Sequence, residues 1–221
     1  MSNSIKKLKD PGSAITHFIG MLMAMFASVP LLIKAFSGGR DVYLCSLVFV
    51  ISMILLYGAS TMYHSFDRGE RVNKVLKKLD HAMIFVLIAG SYTPVCLLVI
   101  GGRTGLILLG LVWGVGLLGI IFKMFWVTCP KWLSSVMYIA MGWMCVMAFS
   151  PIINNMTKVE FAWLLAGGII YTVGGVIYAI KTPRVKAYNE RHKFFGTHEI
   201  FHIFVMVGSM CHFILIYQVI K

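Results

Sequence analysis

Apolar residues run without a charge through seven stretches of the chain, at 13–33, 42–63, 82–102, 104–122, 132–157, 161–180 and 200–220. A helix needs roughly 20 residues to cross about 30 Å of hydrocarbon. Each stretch meets that length, so the pattern predicts an all-α membrane protein, a seven-transmembrane helix bundle. Residues 1–12 form a short basic head, and 13–221 form a single transmembrane domain with nothing left over for a soluble one. Ser13 is in position to cap the first helix, and Pro30 falls near its far end. Ser37-Gly38-Gly39-Arg40 and Gly101-Gly102-Arg103 read as tight turns. A basic loop of about 15 residues follows His64, partly helical in pattern, and the third helix is expected to start near Asp80. Pro94 sits in its far half, and Pro183 ends the sixth helix. Glycines recur in the fourth and sixth helices, where small residues let backbones approach closely.

Composition agrees with that reading. Of 221 residues, 59% are hydrophobic and 13% charged, with a mean hydropathy of +0.84, which excludes an ordinary soluble domain. The net charge of +12 does not point to nucleic acid, because no basic stretch carries a nucleic-acid motif. It sets topology. With the N-terminus inside, Lys6, Lys7, Lys9, the run from Arg68 to Lys78, Lys123, Lys131 and the run from Lys181 to Lys193 face the cytoplasm. Lys34, Arg40, Arg103, Lys158 and Lys221 fall outside. The positive-inside rule then puts the C-terminus outside. The first apolar run exceeds the roughly 7–15 residues of a signal h-region, so it is kept as a helix. Cys45, Cys96, Cys129, Cys145 and Cys211 show no CxxC spacing and read as small hydrophobes; Cys45 and Cys96 fall toward the same face and could pair.

The candidate chemistry lies at one depth. His64 closes the second apolar segment, Asp80 opens the third, and His198 and His202 open the last. With the orientation set by Lys and Arg, all four fall in the cytoplasmic leaflet. His202 is one turn, about 6 Å, deeper than His198, and Ser60 is one turn deeper than His64. His198 and His202 share a helical face. With His64 they make three nitrogen ligands, the open arrangement of a catalytic Zn²⁺ site. Asp80 would hold or deprotonate the water on that ion, and Ser60 could donate to it or to a developing oxyanion. Singly each has an ordinary reading: a snorkelling or boundary histidine, a helix N-cap for Asp80, a back-bond for Ser60. Ionisable groups collected at one depth on three helices favour the metal. His17 lies near the same face. His81 adjoins Asp80 but points about 100° away. His192 falls in the inner loop. Glu199 faces elsewhere, toward loop lysines, and His212 lies about 15 Å beyond His202.

Ser60-Thr61-Met62-Tyr63-His64, Asp80-His81, Gly90-Ser91-Tyr92-Thr93-Pro94 and His198-Glu199-Ile200-Phe201-His202 with the later His212 resemble the hemolysin III family. That family is the bacterial branch of the progestin and adipoQ receptors, in a superfamily that includes alkaline ceramidases. The resemblance implies seven helices, an inner N-terminus in a bacterial plasma (inner) membrane, and zinc held by His64, His198 and His202. It also sets Asp80 and Ser60 around the water. The short head differs from the long cytosolic region of the eukaryotic receptors, so hormone- or steroid-type signalling is not expected.

Three functions compete. The first is a zinc-dependent hydrolase acting on a membrane lipid, with an amide as a candidate bond. The second is a non-enzymatic regulator of membrane state in which zinc ties two helices together. The third, a cytolytic pore, lacks an amphipathic toxin helix and a polar channel lining. A retinal protein is excluded because no lysine lies between Lys193 and Lys221, and three histidines at one depth suit zinc better than haem.

Overall fold

A computed structural model describes residues 8–192 and 194–220. The first seven residues of the expected head, with Lys193 and Lys221 of the charge count, lie outside the described residues. Among those described there is no strand, and seven helical stretches are long and apolar enough to cross a membrane. The helices are α1 (Pro11–Ser37), α2 (Arg40–Ser65), α3 (Glu70–Pro94), α4 (Gly102–Phe125), α5 (Lys131–Gly142), α6 (Phe149–Asn155), α7 (Lys158–Ala179), α8 (Pro183–Arg191) and α9 (Thr197–Val219). The fifth span, Lys131–Asn155, combines α5 and α6.

Three boundaries differ from the hydropathy pattern. Pro11 takes the first turn of α1, where its missing N–H costs nothing, so the helix starts before Ser13. α3 begins at Glu70, ten residues before Asp80. Arg71, Lys74, Lys77 and Lys78 end the apolar run but are good helix formers, so charge interrupts hydropathy without interrupting the helix. Asp80 is therefore inside α3, and the N-cap reading is excluded. The fifth span is not one helix, because a 3₁₀ stretch, Trp143–Ala148, separates α5 from α6. The Tyr92 hydroxyl satisfies that break, donating to Gly142 O at 2.6 Å and accepting from Cys145 N at 2.8 Å.

Pro94 has no N–H to donate to the preceding turn, and the ladder widens just beyond it into a π-helical stretch, Val95–Ile100. Gly101 and Gly102 follow with φ of 63° and 53°, a left-handed conformation that glycine adopts without strain, and the chain reverses into α4. α7 starts with a capping box, Thr157 and Glu160 each bonding the other's backbone N–H.

Two apolar cores hold the bundle. Leu31, Phe49, Leu56 and Ile216 join α1, α2 and α9, while Phe85, Val112, Met141 and Ile152 join α3, α4 and the fifth span. α9 packs between α1 and α7. Large apolar side chains also cover the outside, with Phe26 and Phe36 each 77% exposed and Leu118 67% exposed, as lipid-facing residues should be. Lys123 is an exception to the loop-charge picture. It is fully buried, donating to Ser134 Oγ at 2.6 Å and Cys129 Sγ at 3.0 Å. All five cysteines are free, so the Cys45–Cys96 pairing does not form.

Candidate metal centre

The end of α2 and the start of α9 meet at one end of the bundle. There His64, His198 and His202 each present a ring nitrogen, and the three atoms lie within 4.8 Å of one another. His64 Nε2 and His198 Nε2 are 3.2 Å apart. Two nitrogens held tetrahedrally at about 2.0–2.1 Å from one zinc lie about 3.3–3.4 Å apart, so the spacing fits a pair of ligands to one ion. The i,i+4 spacing on α9 holds the His198 and His202 ring centres at 4.5 Å. His64 and His202 are buried at 3% and 2% exposure.

The opening of α1 orients two of these rings. Asp10 Oδ2 lies 3.0 Å from His64 Nδ1, so Nδ1 carries the proton and Nε2 keeps its lone pair for a metal. Thr16 Oγ1 donates to the carbonyls of Gly12 and Ser13, each at 3.0 Å, and accepts from His202 Nδ1 at 3.1 Å. That assignment again frees Nε2. His198 Nδ1 has no partner among the described residues. The His17 ring stacks on His202, with centroids 3.6 Å apart and planes within 9°. Glu199 does not face the loop lysines. Its carboxylate accepts from the Ser13 hydroxyl and from Gly196 N at 2.8 Å, pinning the start of α9 to the start of α1.

Two expectations follow from this docking. The His64 hydrogen bond holds the Asp10 carboxyl below the usual carboxylate range. The tie is thus complete above that range and is lost only as the pH falls through the lowered value. Asp10→Ala should weaken metal affinity about 10–100-fold, the usual effect of removing a carboxylate behind a ligating histidine, as read by competition with a zinc chelator at neutral pH. Gly12 lets the backbones touch, since a Cβ there would overlap the Phe194 carbonyl oxygen. Gly12→Ala should destabilise the protein by about 1–3 kcal/mol, measured as lowered thermal stability in detergent.

Asp80 is 8% exposed, and its Oδ2 lies 3.2 Å from His81 Nδ1. The neighbouring ring turns back onto the carboxylate rather than away from it. Ser60 is fully buried, and its hydroxyl makes no hydrogen bond among the described residues, including none to its own helix. Asp80, His17, His198 and His202 together line one end of a cavity of about 200 Å³ between α3, α5, α7 and α9. The cavity continues past apolar side chains including Ile84, Ile88, Val95, Val146 and Leu164. His192 lies in the loop before α9 and contacts Tyr188 O.

Residues 5–213 match the family described as Haemolysin-III related. The chain belongs to this family. It is 37% identical to "Hemolysin-3" of Bacillus cereus over 214 residues, covering 96% of this chain and 92% of that protein. It is 38% identical to "Hemolysin-3 homolog" of Bacillus subtilis (strain 168) over 206 residues, covering 93% and 91%. A more distant likeness reaches the "Adiponectin receptor protein" of Drosophila melanogaster, 24% identical over 180 residues, 75% of this chain and 40% of that protein.

Within this family member, reading the sequence missed Asp10 and Thr16. Asp10, Ser13 and His17 form a polar stripe at helical spacing on an otherwise apolar helix, the signal that α1 faces polar partners.

Proposed function

We propose that the chain is a zinc-dependent hydrolase of a membrane lipid, set in the plasma membrane with its N-terminus in the cytoplasm and the histidine trio in that leaflet. One observation carries the reading: three imidazole nitrogens converge, and two of their rings, His198 and His202, line a largely apolar cavity of about 200 Å³ together with Asp80. The donor set suits zinc, and a zinc ion there would supply Lewis-acid chemistry and lower the pKa of water to about 7.

The side chains divide the remaining work. The cavity holds the acyl chain and brings the scissile carbonyl to Asp80. Asp80 takes a proton from the attacking water as the new C–O bond forms, and the Ser60 hydroxyl donates to the developing oxyanion. The C–N bond of a lipid amide then breaks, and the proton passes from Asp80 to the leaving nitrogen. Water is consumed, and the products are a fatty acid and an amine. The test is incubation of purified zinc-loaded protein with a lipid-amide mixture such as ceramides. Release of fatty acid and amine in equal amounts is expected, and no hydrolysis by fully zinc-loaded protein would contradict the reading.

A second reading takes its support from the receptor name of the fly relative. In it the trio ties α2 to α9 in a regulator that performs no chemistry.

A further inference from the structure

The trio and Asp80 account for only one end of the cavity. Farther along it lies His212, ten residues beyond His202 on α9 and so about 15 Å deeper. That is about half of a 30 Å hydrocarbon layer. His212 lines the cavity and is 9% exposed. No described residue hydrogen-bonds to it. An imidazole without a partner in an apolar cavity loses its hydration and gains nothing in return.

The surroundings are built for this ring. A Cβ on Gly167 would come within 2.7 Å of His212 Nε2, so the glycine leaves room for it. Tyr171 stacks on the ring with centroids 5.4 Å apart and planes 19° from parallel. Tyr171 is fixed in turn by its hydroxyl, 2.9 Å from Ser209 Oγ, which also accepts from the Tyr57 hydroxyl at 2.8 Å. Gly208 makes space for the Tyr171 ring as Gly167 does for His212. The other polar groups near this depth are satisfied internally. Ser91 donates to Ile88 O, Thr172 to Gly168 O, and Tyr92 bridges Gly142 and Cys145. His212 is left as the group whose hydrogen bond the occupant must complete.

We propose that His212 recognises a hydroxyl carried on the distal half of a lipid acyl chain. A hydroxyl both donates and accepts, so it meets a neutral imidazole in either tautomer. A carboxylate or ammonium would bring an uncompensated charge into an apolar site. An unsubstituted chain offers nothing to bond at this depth. The site deepens the lipid reading above and rests on it, since the cavity must hold an acyl chain for the hydroxyl to reach the ring.

The experiment is equilibrium binding of two fatty acids to zinc-loaded protein in nanodiscs. Oleate is the plain chain, and ricinoleate is the same chain with a hydroxyl beyond its middle. Wild type should bind ricinoleate about five-fold more tightly, the worth of one net hydrogen bond. His212→Phe should bind both acids with the affinity wild type has for oleate, which also shows that the variant is folded. Gly167→Ala, which displaces the ring while keeping it, should cut the preference as well. Equal affinities in wild type, or a preference that survives both substitutions, would overturn the hydroxyl site while leaving the lipid cavity standing. Failure of wild type to bind either acid would overturn both.

Discussion

Asp80→Asn is expected to retain a full zinc complement and to lose lipid hydrolysis by about 10²–10⁴-fold, the usual contribution of a positioned acid–base group. The substitution keeps the shape of the side chain and removes its ability to take a proton. Asp80 is buried beside His81 and lines the same cavity end as His198 and His202, so no other described carboxylate at that end can replace it. Glu199 is committed to Ser13 and Gly196, and Asp10 to His64 on the far side of that ring. Zinc content and turnover must be measured on the same preparation. Loss of turnover with metal retained assigns chemistry to Asp80. Unchanged cellular behaviour with metal retained would instead support the regulator reading.

His202→Ala should have the largest effect on stability. It removes one of three ligands and also the ring on which His17 stacks. At free zinc 1,000-fold above its dissociation constant, a bound ion stabilises the fold by about 4 kcal/mol. For a chain of this size that corresponds to a melting shift on the order of 10 °C. A chelator should therefore lower the melting temperature of wild type by that amount and leave His202→Ala unmoved. Zinc per chain should fall from about one to near zero in the variant. An equal response of both proteins to the chelator would remove the link between the trio and the metal.

The bundle was readable because hydrophobic length is a strong signal, and seven charge-free runs of that length fit little besides membrane spans. His64, His198 and His202 stood out because ionisable groups are costly in lipid, so their common depth carried information. Other features were hidden for physical reasons. The ten residues of α3 before Asp80 are rich in charge, and hydropathy responds to charge rather than to helicity. Asp10 and Thr16 look like ordinary residues at a helix start, and their bonds to His64 and His202 depend on how α1 docks against α2 and α9. The polar stripe at the start of α1 shows that this helix faces polar partners and leaves those partners unnamed. The Trp143–Ala148 break depends on the Tyr92 hydroxyl from another helix. The cavity belongs to the gap between four helices, and no single helix records it. The burial of Lys123 shows the converse, a charge that counts toward topology yet spends its donors inside the protein.

The central claim concerns the coordination of a single ion, and X-ray absorption at the zinc edge of the purified protein addresses it directly. The predicted result is a nitrogen and oxygen shell at about 2.0–2.1 Å with the multiple-scattering pattern of three imidazoles and no sulfur contribution. A sulfur shell near 2.3 Å, fewer than three imidazoles, or protein that takes up no zinc would contradict it.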